Sequence, residues 1–286
     1  MKINEISPQD SIFTEVLGPI ALTPKKLYYR GKLPENRIKS VAIVGSRKPT
    51  AYGQAVCYKL AFELAKRGIA VISGLALGTD AIAHRGALDA GGCTIAVICS
   101  GIDRITPRTN NVLGERIEAN GGAIISEFPP GELVYRWSFL KRNRLVSGLA
   151  DAVVVVEAAA RSGTLSTATH GLNQGKPVFA VPGNISSPLS AGCNNLIKQG
   201  AMPLTELDDI LSIIAPDKLK QATLADVMGD TKQENDILAQ IKDGESDGEA
   251  IIAKLNMPVG EFNQTITMLE LKGMVRALGA NKWAIK

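Results

Sequence analysis

Histidine and paired cysteine are scarce. The chain has two histidines, His84 and His170, and its four cysteines, Cys57, Cys93, Cys99 and Cys193, include no CxxC pair. A structural zinc site needs four such ligands at set spacings, so no metal is expected. Three of the thiols lie in or beside apolar runs, as core thiols in a reducing cytoplasm do. No run approaches the ~18 apolar residues of a membrane span. The opening MKINEISPQD also lacks the apolar segment of a signal peptide. Neither export nor a membrane partner is expected. Nucleotide fingerprints are missing too. GxxxxGK[ST] occurs nowhere, which excludes a P-loop NTPase. The first parallel strand is not followed by GxGxxG, nor the second by an acid, which argues against a dinucleotide cofactor.

What is present is a large apolar fraction, 45%, enough for one large domain or a large and a small one. The formal net charge of +4 is mild but unevenly spread. From Asp217 onward there are 9 Lys and Arg against 11 Asp and Glu; the preceding residues hold 23 against 17, a net of +6. An anionic partner therefore meets the front part.

Short β-branched runs alternate with helical segments: VAIV (41–44), IAVIS (69–73), TIAVIC (94–99), AIIS (123–126), VVVVE (153–157) and VFAVP (178–182). Uniformly apolar strands separated by helices make a parallel sheet covered on both faces, a doubly wound, Rossmann-like α/β fold. The acidic, weakly periodic stretch after LTELDDILSIIA reads as a linker. Beyond it the style changes to three short helices and a small hairpin, the order of a winged helix. Its apolar set at helical spacing is Ile237, Leu238, Ile241, Ile251, Ile252, Leu255, Phe262, Ile266 and Leu269. The expected domains are an N-terminal extension (1–39), a Rossmann-like core (40–215), a linker (216–233) and a winged helix (234–286).

In such sheets ligands bind beyond the carboxyl ends of the strands, and the sequence places five motifs there. Gly45, Ser46, Arg47 and Lys48 form a glycine turn whose amides and arginine fork suit a phosphate oxygen. SGLALGTDAIAH brings Gly74 close to a strand end, with Thr79 or Asp80 as a helix cap and His84 on a surface face. FLKRNRLVSGLADA groups Lys141, Arg142, Asn143 and Arg144 with Phe139; a base could stack on that ring, or the ring could lie in the core. EAAARSGTLSTA sets Arg161, Ser162, Gly163 and Thr164 at a helix start. Pro182-Gly183 is a turn, with Asn194 and Asn195 as ligand contacts or caps. Several anion cradles on one rim exceed the needs of a mononucleotide and suit a polyanion.

The ordered set VAIVGSRKPTAYG, VISGLALGTDAIAHRGAL, TIAVICSGID, EFPPG, FLKRNRLVSGLADAVVVVEAAARSGTLSTA, GKPVFAVPGNISSP and GCNNLIKQGA resembles the DNA processing protein A (DprA/Smf) family over roughly 22–211. The tail resembles the winged helix found at the C-terminus of many members. The resemblance implies a homodimeric, non-enzymatic mediator of natural transformation that binds and protects incoming single-stranded DNA and helps to load the RecA recombinase. It implies that Arg47 is the phosphate-gripping arginine, and that Phe139, Arg142, Asn143 and Arg144 are the family's Phe-x-x-Arg-Asn-Arg signature. It likewise matches Arg161, Ser162, Gly163 and Thr164 to the Arg-Ser-Gly-Ser/Thr turn. The chain departs in carrying Leu77 where many members have a base, and Thr79 where isoleucine is usual.

The alternative is a nucleotide-binding enzyme or carrier of the same superfamily, such as a nucleoside monophosphate glycosidase. RSGTLSTA lacks that glycosidase's glutamate, and Glu157 and Glu127 are the only strand-end carboxylates for acid–base work.

Overall fold

A computed structural model describes residues 2–222 and 229–285. The chain forms two compact units, Met1–Ala215 and Pro216–Lys286. The first opens with strands β1 (Asn4–Ile6) and β2 (Leu27–Gly31). It continues with β3 (Ser40–Val44), α1 (Ala51–Lys66), β4 (Ala70–Ser73), α2 (Thr79–Asp89), β5 (Thr94–Ile98), α3 (Asn111–Ala119) and β6 (Ala123–Ser126). The second half adds α4 (Arg136–Leu149), β7 (Ala152–Val155), α5 (Leu165–Asn173), β8 (Val178–Ala180), α6 (Ala191–Lys198), β9 (Met202–Pro203) and α7 (Asp208–Ile214). The six strands expected from β-branched runs are β3 to β8, within two residues at each end.

The nine strands lie in the order β1-β2-β6-β5-β4-β3-β7-β8-β9. β3 to β9 run parallel, whereas β2 pairs antiparallel with both β1 and β6. Every residue of β3, β4, β5, β6, β7 and β8 is buried, as helices on both faces require. The chain winds outward from β3 through β4, β5 and β6, then returns to the other side of β3 at β7. The β3/β7 boundary is therefore the topological switch point, where doubly wound sheets open a crevice at their carboxyl edge.

The segment 1–39 is more than a lead into the core. It supplies two sheet strands, and Phe13, Leu17, Ile20 and Leu27 join the main hydrophobic core. Gly148 on α4 admits Leu17, since an added Cβ would stand 2.7 Å from Leu17 Cδ2.

The second unit begins with α8 (Pro216–Ala222), followed by α9 (Lys232–Lys242), α10 (Gly248–Leu255), α11 (Val259–Leu271), β10 (Val275–Gly279) and β11 (Lys282–Ile285). The expected linker thus starts as a helix, with proline at its first position and Asp217 in its first turn. Residues 223–228 of that linker lie outside the described residues. Three helices and an antiparallel hairpin form the winged helix. Ile237, Leu238, Ile241, Ile251, Phe262, Ile266 and Leu269 fill its core with Val275, and Ile252 and Leu255 pack against them half-buried. Thr231 and Glu234 close a capping box on α9, and the Asp247 carboxylate accepts from the Glu249 and Ala250 amides to start α10.

Among the described residues no helix is long and apolar enough to cross a membrane.

Candidate nucleic-acid interface

Two turns meet at the switch point, one after β3 and one after β7. Gly45 has no room for a side chain: a Cβ would stand 2.6 Å from Thr79 Oγ1 and 3.1 Å from the Glu157 carbonyl oxygen. The closeness lets neighbouring segments bond to the turn. Thr164 Oγ1 donates to the Gly45 carbonyl at 2.9 Å, joining the two turns directly. The Thr79 amide and hydroxyl both donate to the Ser46 carbonyl, at 3.1 and 3.0 Å. Gly78, at φ +73°, bends the chain closely enough that a Cβ would meet the Arg47 backbone at 2.5 Å. Below, the buried Glu157 carboxylate accepts from Thr50 N at 2.8 Å and Thr50 Oγ1 at 2.6 Å, and Thr50 in turn caps α1 through the Gly53 amide.

These turns and α4 enclose a cavity of about 410 Å³. Nine of the sequence-predicted residues line it: Gly45, Ser46, Arg47, Phe139, Arg142, Asn143, Ser162, Gly163 and Thr164. Arg47 is exposed, and its guanidinium carbon lies 5.0 Å from the centroid of the Phe139 ring. Phe139 is half-buried and belongs to the cavity wall, not to the core. Asn143 donates to Ser166 Oγ at 2.8 Å and to the Gly163 carbonyl at 3.4 Å, bracing the second turn against α4.

The two arginines of the RNR run are placed differently from the solvent-facing cations expected of a basic rim. The second half of α4 is buried all round, from Arg144 to Leu149, and Arg142 is buried with it, so the two guanidinium groups leave the helix on opposite sides and each ends inside the protein. Arg142 passes under Gly74, where an added Cβ would stand 1.8 Å from Nη1, and donates from that nitrogen to the Val97 carbonyl. Its charge also acts on the buried Asp80, which lines the cavity. Burial pushes the Asp80 carboxyl above its ordinary pKa, opposed by Arg142 and by the Ala76 and Gly74 amides. Arg144 donates from Nη2 to both oxygens of Glu127, at 2.7 and 2.8 Å, and Lys141 approaches the same carboxylate at 3.4 Å. Gly74 thus admits an arginine of this chain. Lys48 and Arg161 are exposed outside the cavity wall, as is the half-buried Lys141.

His84 is fully buried, contrary to the surface position expected for it. Its Nδ1 lies 2.7 Å from Thr94 Oγ1, which itself donates to the Val71 carbonyl, so the imidazole donates and is neutral. Burial and the Arg142 charge lower its pKa to about 3. Asp80, read as a helix cap, instead accepts from the Gly74 and Ala76 amides at 3.1 and 3.4 Å. Asn194 pins the Pro182-Gly183 turn through both the amide and the carbonyl of Gly183. Leu77 is exposed, whereas Thr79 is buried against Ser46. The buried Thr79 anchor was not assigned from the sequence. Its signal was the hydroxyl at an otherwise apolar position.

The four cysteines are free, three of them buried, and burial raises the Cys193 thiol to about 12 and Cys93 to about 11. Among the described residues no three His, Cys, Asp or Glu gather as metal ligands. Neither Glu157 nor Glu127 lines the cavity, since each is occupied in the contacts above.

Comparison with known proteins agrees with this architecture. Residues 4–215 match the family model for DNA recombination-mediator protein A, and residues 220–281 match the DprA winged helix domain. Protein Smf of Escherichia coli (strain K12) is 37% identical over 262 residues, covering 89% of this chain and 70% of that protein. A putative DNA processing protein DprA of Mycobacterium tuberculosis is 41% identical over 224 residues, covering 76% of this chain and 57% of that one. The crystal structure of DNA processing protein A from Streptococcus pneumoniae is similar, with a TM-score of 0.68 and 36% identity over 75% of each chain. A second similar structure concerns the single-stranded DNA binding mode of the Helicobacter pylori protein, with a TM-score of 0.66 and 32% identity over 77% of this chain and 97% of that one. The chain belongs to the DNA recombination-mediator protein A family.

Proposed function

We propose that this chain is a single-stranded DNA-binding recombination mediator of natural transformation. In this reading it works in the cytoplasm as a homodimer, covers incoming DNA and loads RecA without chemistry of its own. The observation that carries the reading is the Arg47–Phe139 pair at the wall of the switch-point cavity. An exposed guanidinium over a half-exposed ring offers a phosphate contact and a base-stacking face side by side, the combination that single strands require. The turns at Ser46 and at 162–164 supply further polar groups in reach of the same backbone. Arg142 and Arg144 then act beneath the surface: Arg142 donates to the Val97 carbonyl and Arg144 holds Glu127, and so they position Phe139 and Asn143 on α4. The enzyme alternative loses support, because Glu157 accepts from Thr50, the cap of α1, and Glu127 holds two cations.

The name of the Helicobacter relative's structure supports the choice of ligand. RecA loading and dimerisation rest on family membership. Gel shift with single-stranded, duplex and RNA oligonucleotides at two salt concentrations tests the proposal. Single strands should bind most tightly, with affinity falling as salt rises. Equal affinity for duplex, or hydrolysis of a nucleoside monophosphate that disappears in a Glu157→Gln chain, would favour another function.

A further inference from the structure

The first turn of α4 carries a second aromatic feature outside the cavity. Tyr135 and Trp137 stack at 5.8 Å between centroids with their planes 4° apart. Both large rings remain about half exposed, at 47% and 51%. Trp137 is propped by an edge-to-face contact with the buried Phe128, 5.8 Å away, so the pair stands on the core and does not float on a loop. The Lys141 ammonium lies 5.9 Å from the Trp137 ring and 5.2 Å from that of Phe128. Arg136, between the two stacked rings in sequence, is exposed, and so is Leu140, which also lines the cavity.

We infer that Tyr135 and Trp137 form a second base-stacking platform, taking a nucleotide of a single strand as it leaves the Arg47–Phe139 cavity. The inference rests on the single-strand reading above and extends it to residues outside the cavity. Two stacked rings left about half exposed keep an aromatic face in water, and a base, flat with a π-face of its own, continues such a stack. The cations select the strand over an uncharged apolar partner: the Lys141 ammonium lies 5.9 Å from the Trp137 ring, and the exposed Arg136 sits between the two aromatics in sequence. Leu140 links the platform to the cavity, so one strand can occupy both without leaving the α4 surface. Phe139 and Trp137 lie on different sides of the helix, and a strand using both must cross its N-terminal end.

The sequence has two tryptophans, Trp137 and Trp283. In a full-length Trp283→Phe chain, emission therefore reports on Trp137 alone. A long oligothymidylate should quench it, and an abasic strand of equal length should not. Trp137→Ala should weaken binding of the long strand about tenfold while leaving the salt slope unchanged, because stacking releases no counterions. A short oligothymidylate that fills only the cavity should bind the Trp137→Ala and unaltered chains equally. Trp137→Phe, which keeps a ring on Phe128, should retain most of the affinity and guards against a folding defect. Long-strand binding with unchanged Trp137 emission overturns the platform while leaving the cavity reading intact. Equal quenching by the abasic strand overturns it as well. Unaltered strand affinity in Trp137→Ala with loss of binding to a recombinase would assign the patch to protein. If the unaltered chain binds no single strand at all, the proposed function itself fails.

Discussion

Replacing Arg47 by alanine separates the surface cation from the buried ones. Arg47 is exposed, and its guanidinium carbon lies 5.0 Å from the centroid of the Phe139 ring. Inside the fold the substitution costs about 0.5–1 kcal/mol, the value of an exposed cation–π contact. For a domain of this size that lowers Tm by only ~1–4 °C. On DNA the change is larger. A charge-assisted contact to a phosphate contributes about 1.5–3 kcal/mol. Its loss weakens binding roughly 10- to 150-fold. One fewer phosphate neutralised also flattens the log–log salt dependence by about 0.7 on a single strand. Arg142→Ala should behave in the opposite way. It removes the donor to the buried Val97 carbonyl and the charge that opposes the burial of Asp80, a loss of about 1–3 kcal/mol in fold stability. Fluorescence anisotropy with a labelled oligothymidylate across a salt series, beside calorimetric melting of each variant, distinguishes the two. A folded Arg47→Ala chain that binds with unaltered affinity and slope would refute the assignment of Arg47 to a phosphate.

Acid should destabilise the core through His84. Its folded pKa of about 3 lies below the ordinary histidine value, so the unfolded chain takes up a proton that the folded one refuses. That stability is present above about pH 6.5 and declines as pH falls toward about 3, by about 2 kcal/mol at pH 5. Urea midpoints should show this loss, and His84→Asn, which keeps a donor for Thr94, should flatten it; an identical pH profile in the variant would sink the argument. Gly74→Ala should destabilise the first unit by 2 kcal/mol or more, on the order expected for overpacking, because its methyl collides with the Arg142 guanidinium. Gly163→Ala meets nothing within 4 Å, so it should melt with the unaltered chain yet bind single strands less tightly if the turn approaches a phosphate. A chain ending at Ala215 should retain single-strand affinity, since Lys272 at the end of the candidate recognition helix is already paired with Asp230 and Glu234, at 2.9 and 2.6 Å. A tenfold loss in gel shift would show that the winged helix contributes.

The sheet was legible because six β-branched runs and the turns between them follow two simple periods, and burial on both faces leaves no other reading. The winged helix was legible from nine apolar positions at helical spacing. What escaped was the fate of charge on α4. A run of Lys141, Arg142, Asn143 and Arg144 reads as a cationic face. Which members turn inward depends on Gly74 and Asp80, some sixty residues earlier, and on Glu127 at the end of another strand. Such pairs are set by tertiary contact and carry no local signature. β1 and β2 were missed for the same reason: β2 pairs with β6, nearly a hundred residues on, and β1 joins the sheet only through β2. His84 shows the limit of residue type alone, since a single imidazole in DAIAH is equally at home in water or against Thr94.

The bond from Thr164 to the Gly45 carbonyl, with Thr79 on Ser46 and Glu157 on Thr50, has a kinetic meaning. Loops that must be ordered by their ligand forfeit part of the interaction to lost chain entropy and slow the encounter while they search. Here the segments on either side of the switch point are tied to each other by the protein's own hydrogen bonds. Association should therefore proceed at a rate governed by diffusion and charge attraction, single-exponential and steeply dependent on ionic strength, without a slower isomerisation phase. Residence time on the strand would then be set by how many nucleotides are engaged at once. A chain cut to Thr164→Val should lose that simplicity first, acquiring a slow phase in stopped-flow binding before its equilibrium affinity changes greatly.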